Sequence, residues 1–307
     1  RLAASTKSLQ AASQAYCKAP ATADPAALQQ AYLAAMLDWQ SIQHIRFGPV
    51  EFQLRYHRFQ LWPDKRGSVS KHLNRLLASE DTAVLQPETF ARDSSAVQGF
   101  SALEQLLYGD VETSEYACQL ILAITSNLQE MATGIVTEWT RPPVHYADVI
   151  ATAVQGNDFF ESSEEVSARL LNNLYTGLQL IVDQKLDRPL GDSPEKARGR
   201  RAEAWRSEQS LAHIRRNLVA TQDLYTAAFL ALNRNKRSIL LDLKSAQDRE
   251  TFLKMCAAAD AVLEVNPDAR MILGTTGGTE VRISLCKVAR HLCEAIVGLP
   301  GGAEVFQ

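Results

Sequence analysis

The side chains best placed to do chemistry lie in two separated stretches. In the first, V-Q-G-F-S-A-L-E-Q-L-L-Y-G-D (Val97–Asp110), Ser101, Glu104 and Tyr108 recur at i, i+3 and i+7, which is one column on a helix turning roughly 100° per residue. Phe100, Leu103, Leu106 and Leu107 form the adjoining apolar arc, so Glu104 sits at the border of the buried stripe. A carboxylate there needs a cation, a metal or hydrogen-bond donors, because an unpaired buried charge costs several kcal/mol. A boundary glutamate reaching out to water is the plainer alternative. The second stretch is E-A-W-R-S-E-Q-S-L-A-H-I-R-R-N-L (Glu203–Leu218). Read as a helix, it sets Glu203, Arg206, Ser207, Ser210 and Asn217 on polar faces, where a plain surface helix would carry Lys and Glu pairs. Leu211, Ile214 and Leu218 are its expected buried members.

The elements that must position these groups read as helices. Gly99 and Gly109 bracket the first as breakers. Ahead of it, helical spacing runs from Leu2 to Lys18, and a second helix starts behind Asp24-Pro25 and runs to about Phe47, where Gly48-Pro49 stops it. Large polar and aromatic residues crowd its end and the segment after it: His44 and Arg46, then Arg55, His57, Phe59, Trp62 and Asp64. Trp62-Pro63-Asp64 is not a helix interior and predicts an irregular segment that presents Asp64. A further helical piece is expected from Gly67 to Leu77. The run Thr113 to Trp139 is a long amphipathic helix with Leu120, Ile121, Ile124, Leu128, Met131 and Ile135 buried, ended by Arg141-Pro142-Pro143. Glu164 to Leu186 repeats the pattern through Val166, Leu170, Leu174, Leu178 and Ile181. Beyond it, Ser238 to Leu243 reads as extended, Asp248 to Leu263 as helix and Val281 to Val297 as a closing helix.

G-F-S-A-L-E-Q-L-L-Y-G resembles the signature segment of the imelysin family, grouped with insulin-cleaving membrane proteases and iron-regulated periplasmic proteins. In the family's pattern, G-x-H-x-x-E, Gly99 and Glu104 match while Ser101 stands in place of the histidine. W-x-x-I-x-x-I-R-F-G-P from Trp39 and F-Q-L-W-P-D from Phe59 are similar to the same proteins, particularly the branch of predicted periplasmic lipoproteins. W-R-S-x-x-S-L-x-x-I-x-x-N-L from Trp205 and the closing helix before G-L-P resemble the family's second half. The resemblance implies an all-α fold of two packed helical bundles, here residues 1–143 with the G-x-S-x-x-E segment and residues 144–307. W-x5-I-R-F in the first half and W-x8-I-R-R in the second raise the question of an internal duplication.

The same resemblance implies an exported protein linked to iron uptake or homeostasis, periplasmic or anchored at the outer surface, with membrane contact only through a lipid anchor outside the given chain. Its start at Arg1, without a methionine, is what a mature or a trimmed chain would show. We expect a non-enzymatic binding or accessory protein with a site between the bundles. Arg46, Trp62, Asp64, Ser101, Glu104, Glu203, Arg206, Ser207 and Ser210 are its candidate ligand-binding residues, and a crevice with both charges suits a small polar ligand. Glu104 and His57 are the candidates for a metal, iron or another divalent ion, and other iron-uptake proteins are the candidate partners. Two alternatives stand beside this. A metallopeptidase needs zinc ligands and a general base, but no H-E-x-x-H is present, the six histidines are scattered, and a serine is a poor metal ligand. L-N-R-N-K-R-S-I-L-L-D-L-K (Leu232–Lys244) resembles a stretch of family III coenzyme A transferases, with too little chain after it for that fold.

The bulk properties fit a globular chain. At 307 residues and 46% hydrophobic content there is material for one large or two ordinary domains. A net charge of -3 gives no long-range attraction for nucleic acid. The five cysteines are odd in number and contain no C-x-x-C, so neither a disulfide framework nor a zinc knuckle is indicated, and composition alone suggests a reducing compartment.

Overall fold

Ser114 begins the longest helix by accepting the Ala117 N–H on its hydroxyl at 3.0 Å, and the expected stripe from Leu120 to Ile135 is buried along its length. The computed structural model describes residues 1–232, 245–257, 261–263 and 272–274. The chain forms two compact units, Arg1–Ala228 and Phe229–Gln307. The first unit thus runs through the boundary expected at residue 143.

In the first unit the helices in chain order are α1 (Leu2–Tyr16), α2 (Ala26–Gln40), α3 (Arg55–Phe59), α4 (Ser68–Ser79), α5 (Pro87–Phe90), α6 (Phe100–Tyr108), α7 (Glu115–Thr140), α8 (Tyr146–Ala151), α9 (Ser163–Gln179) and α10 (Arg188–Leu190), with α11 (Ser210–Leu232) beginning in it and ending past Ala228. A π-helical stretch, Leu180–Asp187, joins α9 to α10. Helix α1 packs on both α2 and α7. Leu9, Tyr32, Trp39, Phe59, Phe100, Leu103, Leu120 and Ile124 are almost completely buried in the core, each contributing about 1.5–3 kcal/mol by leaving water. Trp39 stacks on Phe59 at 4.8 Å, and Phe59 on Phe100 at 6.3 Å. The first unit is all-helical, as expected.

Several boundaries differ from the sequence reading. Helix α2 stops at Gln40 and the chain turns through Ser41–Phe47, because Asn173 Oδ1 takes the Arg46 N–H and the Gln43 side chain turns to Lys185. Helix α11 starts at Ser210, not at Glu203: the Ser207 N–H goes to Glu104 Oε1 at 3.0 Å instead of to a helical carbonyl. Leu211, expected in the core, is 76% exposed, and α11 instead buries His213, Ile214, Asn217 and Thr221. Trp39 is buried within α2 whereas Trp205 lies half-buried in a loop, so the two W-x-I-R motifs occupy unlike places.

Cys17 and Cys118 form a disulfide with their Cα atoms 5.5 Å apart, tying the end of α1 to the start of α7. This corrects the expectation of no disulfide: a pair separated by 101 residues leaves no spacing signal. In the second unit, α12 (Ala246–Ala257) ends before a short antiparallel pair, β1 (Ala261–Leu263) with β2 (Ile272–Gly274). The helix expected to reach Leu263 is therefore shorter. The expected extended segment at 238–243 and closing helix at 281–297 lie outside the described residues. Among the described residues no helix is long and apolar enough to cross a membrane.

Candidate functional site

Gly99 lets α6 approach α3. A Cβ there would lie 2.1 Å from the Arg58 carbonyl oxygen and 2.2 Å from that of Phe59, closer than any side chain tolerates. With α6 seated so closely, Ser101 Oγ donates to the Leu61 carbonyl at 3.1 Å, and Glu104 points inward and is buried. Its Oε1 accepts from the Ser207 N–H at 3.0 Å and the Ser207 hydroxyl at 2.8 Å. The two chemistry-bearing stretches therefore meet, in direct contact and not across a crevice.

Four residues before Ser207, Glu203 enters a second buried cluster. Its Oε2 lies 2.7 Å from Lys185 Nζ, both side chains being 1% exposed, and 3.2 Å from His213 Nδ1. Oε1 accepts from Gln60 Nε2 at 2.8 Å and Gln40 Nε2 at 3.3 Å. The Lys185 ammonium also donates to Gln40 Oε1 and Gln43 Oε1 at 2.8 Å and to Asn217 Oδ1 at 2.6 Å. Trp39 Nε1 donates to Gln60 Oε1 at 2.8 Å, joining the cluster to the aromatic core, and the Trp62 ring centroid lies 5.8 Å from Lys185 Nζ. Ser210 Oγ donates to the Glu203 carbonyl.

The electrostatics follow from this geometry. Burial alone would raise the Glu203 pKa, but the Lys185 ammonium and the His213 ring outweigh it and hold the carboxyl well below the usual range. Burial pulls the Lys185 pKa down and Glu203 partly restores it, and four acceptor oxygens surround the nitrogen. Burial, with Glu104 and Glu203 nearby, pushes the Tyr32 phenol well above its ordinary value.

Two backbone features mark the place. Lys185 projects from the π-helical stretch, and Ala204 and Glu208 adopt φ of 50° and 59°. π-turns and non-glycine residues in the left-handed region are uncommon, store strain and gather at functional sites.

The structure gathers Trp62, Ser101, Glu104, Glu203, Ser207 and Ser210. The other candidates lie elsewhere. Asp64 caps α4, its oxygens each accepting at 2.8 Å from the Ser68 and Val69 N–H groups. The Arg46 guanidinium lies 4.2 Å from the Tyr56 ring centroid and its Nε 3.6 Å from Glu51. Arg206 lies on the Trp205 ring at 4.4 Å. His57 is exposed, its ring edge-on to Tyr56, while Glu104 is buried. Asn217, read in the sequence as a polar-face residue of the second stretch, joins the cluster, and residues that sequence reasoning passed over complete it: Lys185, Gln40, Gln43, Gln60 and His213. One signal was available for Lys185, which falls four residues after Ile181 on the extension of the buried stripe.

The donor set does not fit a peptidase metal centre: among the described residues no three His, Cys, Asp or Glu side chains converge as one would require. His44 is buried, His72 Nδ1 contacts the Ser68 carbonyl at 2.8 Å, His145 Nδ1 lies 2.6 Å from Asp148, and His213 faces Glu203. Of the coenzyme A transferase-like stretch, residues 233–244 lie outside the described residues.

Comparison with known proteins agrees with the fold. A crystal structure of an imelysin-like protein from Psychrobacter arcticum superposes with a TM-score of 0.63 at 22% identity, over 84% of this chain and 75% of that one. Iron-regulated protein A of Synechococcus elongatus is 25% identical over 226 residues, 73% of this chain. The chain spans 59% of the length of that curated relative. The model of the Imelysin family (Peptidase_M75) matches residues 1–272, and this chain belongs to that family.

Proposed function

We propose that this chain is an exported, non-enzymatic binding or accessory component of iron uptake or homeostasis. Its polar ligand or metal ion is held where the loop from Glu203 to Ser210 meets α6 and Trp62. The observation that carries the reading is the Lys185–Glu203 pair: a buried ion pair drawn from a π-turn and a strained loop is an expensive way to fill a core. Similarity to iron-regulated protein A supports the link to iron, and the Cys17–Cys118 disulfide supports an oxidising compartment such as the periplasm. A non-enzymatic role is supported by saturation of the cluster, since both Glu203 oxygens and the Lys185 protons are engaged internally, leaving neither group poised as base or nucleophile.

Calorimetry with ferrous and ferric iron, zinc and copper tests the reading on the wild type and on Glu104→Ala. Saturable binding weakened at least tenfold in the variant is expected. Binding that the variant leaves intact removes Glu104 from the site, and chelator-sensitive peptide cleavage by the wild type would overturn the non-enzymatic role.

A further inference from the structure

The loop that carries Glu203 and Ser207 inward carries a different set of groups outward. Arg200 and Arg201 are exposed, and Trp205 and Arg206 are half-buried at the surface. The Arg200 and Arg206 guanidinium carbons lie 5.5 Å and 4.4 Å from the centroid of the one Trp205 ring. Other basic groups of the segment already have partners. Lys196 pairs with Asp192 at 3.1 Å, and Arg198 donates to the Glu195 and Ala197 carbonyls. Among the described residues no carboxylate oxygen comes within 4.0 Å of Arg200, Arg201 or Arg206; of the acids of the same segment, Asp192 pairs with Lys196 and Glu203 with Lys185, and Glu195 and Glu208 pair with none of the three arginines.

We infer that Arg200, Trp205 and Arg206, flanked by Arg201, form a site for a compact anion bearing two or more carboxylates, the chemistry that also chelates ferric iron. The two guanidiniums share one indole, so a ligand with two carboxylates can answer both where a monocarboxylate answers only one. The planar guanidinium fork matches a carboxylate with two parallel hydrogen bonds, and the indole offers an apolar face to the carbon skeleton between the carboxylates. The loop is fixed before any ligand arrives. Glu203 and Ser207 pin it from beneath, Ala204 and Glu208 bend it on either side of Trp205–Arg206, and the Gln209 N–H closes the turn on the Ala204 carbonyl at 3.1 Å. Such preorganisation lowers the ordering cost of binding. Long polyanions are a poor match because the whole chain is acidic, at -3.

The choice of an iron-chelating class rests on the proposed link to iron; the anion site itself does not. The test titrates the full chain by calorimetry at low ionic strength with citrate, acetate, inorganic phosphate and ferric citrate, and repeats it on Arg200→Ala/Arg206→Ala. Citrate is expected to bind at least tenfold more tightly than acetate or phosphate, and the double variant at least tenfold more weakly than the wild type. Its circular dichroism and melting curve should match those of the wild type. Citrate binding no better than acetate, phosphate binding equal to citrate, or undiminished binding in the double variant would each overturn the inference. Citrate binding indifferent to ferric iron keeps the anion site and removes the iron reading, whereas iron binding with no citrate binding does the reverse.

Discussion

Glu104 and Glu203 are both buried and both meet the same loop, yet they are stabilised by opposite means. Glu104 is answered by neutral donors alone, the N–H and hydroxyl of Ser207. Glu203 is answered by a cation, a histidine and two amides. A charge met by two dipoles is held by directional hydrogen bonds and tolerates loss of its ionisation. A charge met by another charge is stabilised only while both remain, because each was stripped of water against the other. The two carboxylates should therefore respond very differently to removal of a partner.

The largest expected effect follows from deleting the cation. Lys185→Met leaves Glu203 buried with amides and a histidine only, and should cost about 3–5 kcal/mol. Combining it with Glu203→Gln removes the stranded charge, so the double variant should recover a large part of that loss. Urea denaturation of the two single variants and the double measures the coupling. Strict additivity would show that the pair is not the electrostatic centre of the cluster.

A third buried titratable group sharpens the contrast because nothing compensates it. His44 Nδ1 has no hydrogen-bond partner, and burial lowers its pKa from 6.5 to about 4. The folded state thus prefers the neutral ring, and the associated stability is complete above the unfolded value near 6.5 and disappears as pH falls through about 4. Over that window the loss amounts to about 3 kcal/mol. Glu203 behaves in the same direction but lower on the scale: its contribution is present above about pH 4.3, the ordinary glutamate value, and fades below it. Denaturant midpoints at pH 7.5, 5 and 3.5 separate the two, since His44→Gln should flatten most of the fall between the first two points and reduce, without abolishing, the acid-most step, the remainder of which belongs to the carboxylates.

Much of this contrast was readable from the sequence, and the unread part has a physical cause. The i, i+3, i+7 column on α6 located Glu104 at the edge of the core, and Gly99 and Gly109 fixed the helix that bears it. Lys185 was passed over although it falls four residues after Ile181, in line with the buried stripe that runs on from α9 into the π-helical stretch. Gln40, Gln43 and Gln60 could not be read, because these amides become functional through partners distant in the chain, as when Gln40 and Gln60 meet Glu203, 163 and 143 residues away. The loop from Glu203 to Gln209 was taken for helix since its composition favours one. Its backbone is diverted by tertiary bonds, and Ser207 gives its N–H to a side chain on α6. Asp64 was read as a ligand where its neighbours made it a cap. The disulfide joins residues with no local relation at all.

The smallest effect bears on the other carboxylate. Ser207→Ala removes one of the two donors to Glu104 but leaves the backbone N–H in place, so the loss should be about 2 kcal/mol, the worth of one hydrogen bond to a charged group. Glu104→Gln should cost less still, because an amide carbonyl accepts from the same N–H and hydroxyl and no cation is left stranded. Combined, the two substitutions should cost less than their sum, with a coupling well below that of Lys185 and Glu203. Thermal melts of the three variants at pH 7.5 decide the matter. A coupling as large as that of the ion pair would mean that Glu104, too, depends on a charge, and the division between the two carboxylates would fall.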